Sequence, residues 1–153
     1  MILNCGQFKL DLSRPNVMGI VNVTPDSFSD GGVFSNTDKA VQHALKLLDE
    51  GADILDIGGE STRPNAMPVA LQEELDRVIP VIEKLVAMGI GIPVSIDTYK
   101  PQVMQAALRA GATIVNDVRA LQEDGALTIV ANHDAGVCLM HMHGMPQTMQ
   151  VNP

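Results

Sequence analysis

The chain has no tryptophan, one tyrosine and three phenylalanines among its 153 residues. A core with so few rings must be aliphatic, and the nine methionines suit its irregular gaps. Long hydrophobic runs are missing too, since no apolar segment approaches the ~18 residues that span a bilayer. We also expect no signal peptide at its start. We therefore expect one globular domain in the cytoplasm, with no membrane partner.

Basic residues are scarce, because 10 Lys and Arg stand against 18 Asp and Glu, which gives a formal net charge of −8. We expect no nucleic-acid partner, since few cations are present to neutralise a row of phosphates. One or two well-placed Arg or Lys residues can still bind a single anionic substrate. The only cysteines, Cys5 and Cys138, lie far apart in the sequence. We predict that both are buried, reduced thiols, as is usual in a cytoplasmic protein.

Several catalytic motifs are absent from the sequence: the Gly-x-Gly-x-x-Gly fingerprint, the Walker A loop and the Ser nucleophile elbow. His141 and His143 form a His-x-His pair, but two ligands are too few for a zinc site, and we expect none. Cys138 and Met140 lie in an apolar run, where packing is the usual role. We expect Met140 to form one wall of a ligand pocket.

Short aliphatic runs alternate with helical patterns along the chain, after a predicted hairpin at residues 2–12. The predicted strands are residues 17–23, 53–57, 93–96, 113–115 and 137–140, and the helices between them are residues 37–50, 71–88, 101–110 and 126–133. This alternation indicates an α/β fold with a parallel sheet. A complete (β/α)8 TIM-type barrel has about 250 residues. Residues 1–153 are therefore predicted to form one incomplete barrel domain, with the hairpin and about the first five strands. An open doubly wound sheet is the alternative.

Polar residues follow nearly every predicted strand, at the end where α/β barrels place their sites. Asn22 comes one residue before the end of the first predicted strand, which leads into a polar, Gly- and Pro-rich loop that includes Asp26, Ser27, Ser29 and Asp30. An amide at this place offers a carbonyl oxygen to a hard cation or an NH₂ group to a phosphate. The alternative is that Asn22 caps the backbone of its own loop.

The second strand carries an acid, Asp56, just before Gly58 and Gly59. Glycines at this position let backbone N–H groups approach a ligand closely. Arg63, in the loop that follows, is the strongest anion-binding candidate because a planar guanidinium suits phosphate oxygens. The alternative is a surface ion pair between Arg63 and Glu60.

Asp97 and Asn116 close the third and fourth strands. A carboxylate only accepts hydrogen bonds, whereas an amide both donates and accepts them. If the two converge, they would bind the edge of a flat heterocycle that carries NH₂ and ring N–H groups. The alternatives are that Asp97 caps the next helix and that Asn116 is a turn residue.

Two segments resemble the signature sequences of dihydropteroate synthase: Met18-Gly-Ile-Val-Asn-Val-Thr-Pro-Asp-Ser-Phe-Ser-Asp-Gly-Gly32 and Asp56-Ile-Gly-Gly-Glu-Ser-Thr-Arg-Pro64. Ser95-Ile-Asp-Thr98, Ile114-Val-Asn-Asp117 and Cys138-Leu-Met-His-Met142 follow in the order of that family. The resemblance covers essentially the whole chain. It implies a (β/α)8 barrel and a transferase of bacterial folate synthesis. That enzyme condenses 6-hydroxymethyl-7,8-dihydropterin diphosphate with 4-aminobenzoate to give dihydropteroate and diphosphate, and sulfonamides compete for the aminobenzoate position.

The resemblance also implies roles for residues near the diphosphate and the aminobenzoate. Asn22 would contact the Mg²⁺ that accompanies the diphosphate, and Arg63 would hold diphosphate oxygens. Thr62 would line the junction of the two substrates. Phe28 and Pro64 would border the aminobenzoate pocket on their loops.

For the pterin, the resemblance implies that Asp97 and Asn116 bind the ring edge, with Asp56 and Met140 nearby. Asn22, Arg63 and Asp97 would be the catalytic residues. The family's later strands supply another pterin-binding Asp, a Lys and an Arg-x-His motif, which have no counterpart up to residue 153. We therefore expect this chain alone to be inactive, and the intact enzyme to be a homodimer.

Two other functions fit part of the pattern. A pterin-binding methyltransferase domain, which uses methyltetrahydrofolate and a corrinoid partner, would share the barrel and the Asp/Asn pair. The polar loop after Asn22 and the Ser61-Thr62-Arg63 segment favour a diphosphate substrate instead. The other alternative is a non-catalytic pterin-binding fragment that needs a partner chain to complete the barrel.

Overall fold

The computed structural model describes residues 1–25 and 35–140. Two antiparallel strands, β1 (Ile2–Cys5) and β2 (Phe8–Asp11), form the predicted hairpin. Parallel strands and helices then alternate as β3 (Met18–Asn22), α1 (Asn36–Asp49), β4 (Ile54–Gly58), α2 (Leu71–Ala87), β5 (Val94–Asp97), α3 (Pro101–Ala110), β6 (Ile114–Asp117), α4 (Ala126–Asn132) and β7 (Gly136–Leu139). Every predicted element is present, with its ends within two residues of the prediction.

The strands of the parallel sheet lie in chain order, β3-β4-β5-β6-β7, and each pairs with the next. Successive helices also contact one another, α1 with α2, α2 with α3 and α3 with α4, so they cover one face of the sheet. A doubly wound sheet would reverse its strand order and carry helices on both faces. The alternative of an open doubly wound fold is therefore wrong. The described residues form the hairpin and the first five strands of a (β/α)8 barrel.

The main core lies between the sheet and the helices. Leu55 and Ile57 of β4 and Ile96 of β5 are fully buried there against α2, which contributes Ile82 and Leu85. Removing each such side chain from water contributes about 1.5–3 kcal/mol. Successive side chains of a strand point to opposite faces of the sheet, so the residues that alternate with these face away from the helices. This alternation leaves the other face of the sheet for polar side chains.

The hairpin closes the end of the sheet where the strands begin. Cys5 and Leu10 pack there against Ile54 and Ile114, the first residues of β4 and β6. Burial raises the pKa of the Cys5 thiol, so this cysteine is an inert packing residue. The prediction that Cys138 is buried is wrong, because its side chain is exposed on β7. β7 is apolar throughout, so its sequence has no alternation of polar and apolar residues that would show which face of the sheet Cys138 occupies.

No helix within residues 1–25 and 35–140 is long and apolar enough to cross a membrane.

The contact between β4 and α2 depends on Gly59. A Cβ at this position would lie 2.9 Å from Val78 Cγ1 and 3.2 Å from Glu74 Cγ, both on α2. We expect Gly59→Ala to lower the free energy of unfolding by about 2 kcal/mol, because overpacking moves the helix from the strand. Urea unfolding of Gly59→Ala, Val78→Ala and the double variant measures this. The alanine should cost less in the Val78→Ala background, and strictly additive effects would contradict the steric explanation.

Candidate active site

One transverse row of the sheet carries three residues of the predicted site. In the register of the parallel strands, Asn22 pairs with Gly58, Gly58 with Asp97, Asp97 with Asn116, and Asn116 with Cys138. These positions lie at or next to the carboxyl ends of five successive strands, on the face opposite the helices. Paired residues of neighbouring strands lie about 4.8 Å apart. The row therefore places two amides and a carboxylate within reach of one small ligand.

Gly58 opens the middle of this row. A Cβ there would lie 3.3 Å from both the Cβ and Oδ2 of Asp97. The missing side chain leaves space between Asn22 and Asp97. A cavity of about 280 Å³ occupies this end of the sheet, and its lining includes the predicted residues Asn22, Asp56, Thr62, Arg63, Asp97, Asn116 and Met140.

Asp56 lies one layer deeper than the row and is almost completely buried. The Asn116 Nδ2 donates a hydrogen bond to its Oδ2 at 3.0 Å, while Oδ1 has no partner within the described residues. Burial raises the pKa of Asp56, and the neighbouring Ser95 hydroxyl and the Asn116 amide partly offset that rise. This bond orients the Asn116 amide so that its carbonyl oxygen remains available to a ligand.

Asp97 has the most strongly perturbed carboxyl group of the site. Burial, followed by repulsion from the Asp56, Glu74, Asp117 and Glu60 carboxylates, raises its pKa from 3.8 to about 7. Cavity-facing carboxyls with such shifts are typical of functional sites. At neutral pH, a ligand that donates hydrogen bonds would favour the ionised form of Asp97.

The β4–α2 loop, residues 59–70, brings cationic and hydroxyl groups to the same cavity. Thr62 is half-buried on its wall, whereas Arg63 and Pro64 are exposed. Arg63 also lines a more open cleft of about 870 Å³, together with Pro64. Asn22 and Ser61 line both the cavity and the cleft. Asn22 and Arg63 thus lie at the junction of the cavity and the cleft, where they could contact a ligand in either one.

Among the described residues, Arg63 does not pair with Glu60 and Asp97 does not cap a helix, so both alternative roles are wrong. Arg63 makes no ion pair with any residue in ranges 1–25 and 35–140, and Glu60 binds Lys100 instead. The N-cap of α3 is Lys100, so Asp97 does not cap that helix.

Within the described residues, neither amide caps its own loop. Asn116 lies within β6 and is not a turn residue. The Asn22 side chain accepts and donates no hydrogen bond within the described part of the chain, which leaves its amide available to a ligand.

Some predicted residues lie outside the described ranges. These are Phe28, the acids and serines of the first loop, and the His141/His143 pair. Among the residues that are described, no group of three or more His, Cys, Asp or Glu side chains could hold a metal ion.

The sequence analysis missed a buried polar cluster beside the cavity. Glu74, on the apolar face of α2, is 1% exposed and binds Lys100, which also binds Glu60 on the cavity wall. The signal was present, because Glu74 falls at helical spacing with Leu71 and Val78 on an otherwise apolar face. A carboxylate on such a face requires a partner.

Comparison with known proteins agrees with this geometry. A family model described as "Pterin binding enzyme" matches residues 18–153. The dihydropteroate synthase of Neisseria meningitidis is 52% identical over 155 residues, which cover 99% of this chain and 54% of that protein. The chain therefore spans about half the length of the curated relatives it matches.

Solved structures show the same similarity. Xanthomonas albilineans dihydropteroate synthase with 4-aminobenzoic acid aligns at a TM-score of 0.88 and 59% identity, covering 93% of this chain and 52% of that one. Yersinia pestis dihydropteroate synthase in a sulfonamide drug complex aligns at 0.89 and 55% identity, covering 100% and 55%. Because the family model matches residues 18–153, which is most of its length, the chain belongs to the family of pterin binding enzymes.

Proposed function

We propose that this chain forms the part of a dihydropteroate synthase that binds the pterin diphosphate. The observation that supports this most directly is the shared cavity, whose lining includes Asp97 and Asn116 together with Asn22 and Arg63. Such a cavity matches a ligand with a hydrogen-bonding ring edge and an anionic tail. The relatives named dihydropteroate synthase support the same substrate class.

The proposed pterin site depends on complementary hydrogen bonding. The ring edge carries NH₂ and N–H donors, which an ionised Asp97 accepts. Asn116 contributes a carbonyl oxygen while its NH₂ group is held by Asp56. Ile20, Val118 and Met140 add apolar surface to the cavity, as a flat ring requires.

The proposed anion site holds the diphosphate at the junction of cavity and cleft. Arg63 would stabilise the negative charge that grows on the leaving group as the bond between the pterin methylene carbon and the diphosphate oxygen breaks. The electron pair of that bond leaves with the diphosphate. The amine nitrogen of 4-aminobenzoate then donates its lone pair to the methylene carbon, and its proton passes to solvent. No protein nucleophile is required for this sequence of bonds.

The proposal includes Mg²⁺ as a companion of the diphosphate. This ion is usually held by one or two protein ligands together with substrate phosphates. The Asn22 amide fits that role, because it lines both spaces and makes no hydrogen bond within the described residues. When bound, the ion would supply positive charge beside the leaving group.

The open cleft next to Arg63 and Pro64 is the proposed place of 4-aminobenzoate and of sulfonamides. Two similar structures hold these ligands, 4-aminobenzoic acid in one and a sulfonamide drug in the other. Thr62 would lie between the two substrates.

Because the relatives are about twice as long, we expect turnover only from a protein that also carries the remaining strands and forms the homodimer of the family. A cytoplasmic location is part of the proposal, supported by two free cysteines.

A titration with and without Mg²⁺ tests the proposed ligand. We expect 6-hydroxymethyl-7,8-dihydropterin diphosphate to bind this chain at least about tenfold more weakly after Mg²⁺ is removed, since a charge-assisted contact contributes about 1.5–3 kcal/mol. The matched control is 6-hydroxymethyl-7,8-dihydropterin, which lacks the diphosphate and should bind equally with and without the metal. Binding of neither compound would contradict the proposal, and metal-independent binding of methyltetrahydrofolate would favour a methyltransferase domain.

A further inference from the structure

A buried ion cluster joins the loop that carries Arg63 to two other elements. Lys100, before α3, places its Nζ 2.6 Å from Glu60 Oε2 and 2.6 Å from Glu74 Oε1. The Thr98 hydroxyl donates to Glu74 Oε2 at 2.6 Å, and the Tyr99 hydroxyl donates to Glu60 Oε1 at 2.9 Å. These five residues are called the Lys100 cluster below.

The Lys100 cluster holds both ends of the β4–α2 loop. Glu60 is at the start of this loop, and its Oε2 also accepts a hydrogen bond of 3.2 Å from the Val69 backbone N–H near the loop's end. Glu74 lies in the first turn of α2, immediately after the loop. One ammonium group therefore fixes the loop's entry, its exit and the helix that follows. Thr62 and Arg63 lie between these fixed points.

The cluster is costly to build, which indicates a role beyond filling space. The side chains of Lys100, Glu60 and Glu74 are only 16%, 11% and 1% exposed. Burial works to lower the pKa of Lys100, but hydrogen bonds and charge from Glu60 and Glu74 outweigh it and raise that pKa. Apolar residues of similar volume usually give equal or better stability than buried ion groups. Lys100 itself does not line either ligand space, so it would not touch substrate.

We propose that Lys100 is a positioning residue that holds the β4–α2 loop in the geometry that presents Thr62 and Arg63 to the anionic end of the substrate. It acts through Glu60, and this inference rests on the proposed function of the cavity. Preorganised loops bind more tightly because less ordering is left to do on binding. The hydrogen-bonding groups of the pterin side, Asp97 and Asn116, are carried by β5 and β6 and not by this loop.

The test compares Lys100→Met with Lys84→Met, whose lysine forms an exposed ion pair with Asp38. Inorganic diphosphate and 6-hydroxymethylpterin are titrated separately against each variant in the presence of Mg²⁺. We expect Lys100→Met to weaken diphosphate binding about tenfold, a size typical of indirect contacts at a site. Pterin binding should change less than about twofold, and Lys84→Met should change neither. Equal loss of both ligands would overturn the inference, because a merely structural role predicts it.

Two further variants guard against a folding defect. Lys100→Arg keeps the charge and should recover most of the diphosphate affinity. Tyr99→Phe removes one hydrogen bond to Glu60 but keeps the ring that packs under Arg119, with 3.6 Å from the guanidinium carbon to the ring centroid. We expect it to weaken diphosphate binding about threefold, in the same direction as Lys100→Met. Unchanged binding in both Tyr99→Phe and Lys100→Met would overturn the inference.

Hydrogen exchange separates this inference from the proposed function. In Lys100→Met, the amides of residues 61–69 should exchange faster than in the unmodified chain, whether or not any ligand binds. If neither diphosphate nor pterin binds the unmodified chain, the proposed function fails, while faster loop exchange would still support the positioning role. Unchanged exchange in that segment would refute it.

Discussion

Asp97→Asn is expected to stabilise the free protein at pH 8 and to weaken pterin binding about 100-fold. The carboxyl group of Asp97 is half-buried among four other acids, which raises its pKa to about 7. At pH 8 the folded chain must therefore hold an unfavourable charge that the unfolded chain carries at no cost. An amide of the same shape removes that charge, but it cannot replace a carboxylate as a double acceptor for ring N–H donors.

The pH dependence of this stability has a definite sign. Because the folded-state pKa lies above the ordinary value of 3.8, the folded chain binds the extra proton more tightly, and Asp97 disfavours folding progressively as the pH rises from about 4 to 7. A tenfold change in proton affinity corresponds to about 1.4 kcal/mol, so the advantage of Asp97→Asn should reach roughly 2–4 kcal/mol at pH 8 and vanish near pH 4.

Urea unfolding at several pH values measures the stability difference, and titration with 6-hydroxymethylpterin measures the binding loss. Asp124→Asn is a suitable control, because Asp124 is exposed, and its substitution should stay within about 0.5 kcal/mol. In the unmodified chain, pterin affinity should rise as the pH passes through about 7, since the ionised carboxylate is the binding form. A pterin affinity independent of pH and of Asp97 would contradict its proposed role.

Arg63→Ala is expected to weaken binding of the pterin diphosphate about 100-fold while leaving the pterin alcohol unaffected. The guanidinium is exposed at the junction of cavity and cleft and forms no ion pair with a described residue. It therefore has two or more N–H donors free for phosphate oxygens, and charge-assisted contacts of this kind contribute about 1.5–3 kcal/mol. Titration of both pterins against the variant measures the difference.

Arg63→Lys and Arg109→Ala complete this experiment. Lysine keeps the charge but loses the planar fork, so we expect an intermediate loss of about tenfold. Arg109 is exposed in the last turn of α3, and its substitution should change neither ligand. A full affinity for the diphosphate in Arg63→Ala would show that another group holds the anion.

Much of the fold could be predicted because its signals are local. Apolar runs, helical spacing and glycine stops follow from backbone sterics and burial, and they located each strand and helix to within two residues. Motif resemblance also pointed to Asn22, Arg63, Asp97 and Asn116. The orientation of Cys138 was not predictable in this way, because an apolar strand shows no period of two.

Local sequence patterns were enough to predict the α/β class, the strand ends that carry polar groups, and the resemblance to a pterin-binding enzyme. The folded chain was needed to show that one transverse row contains Asn22, Gly58, Asp97 and Asn116, because register depends on pairing between distant segments. It also decided the raised pKa of Asp97 and the pairing of Glu60 with Lys100. Both arise from charges that are brought together in a space poor in water, and such electrostatic energies depend on distance and burial, which no local pattern in a chain records.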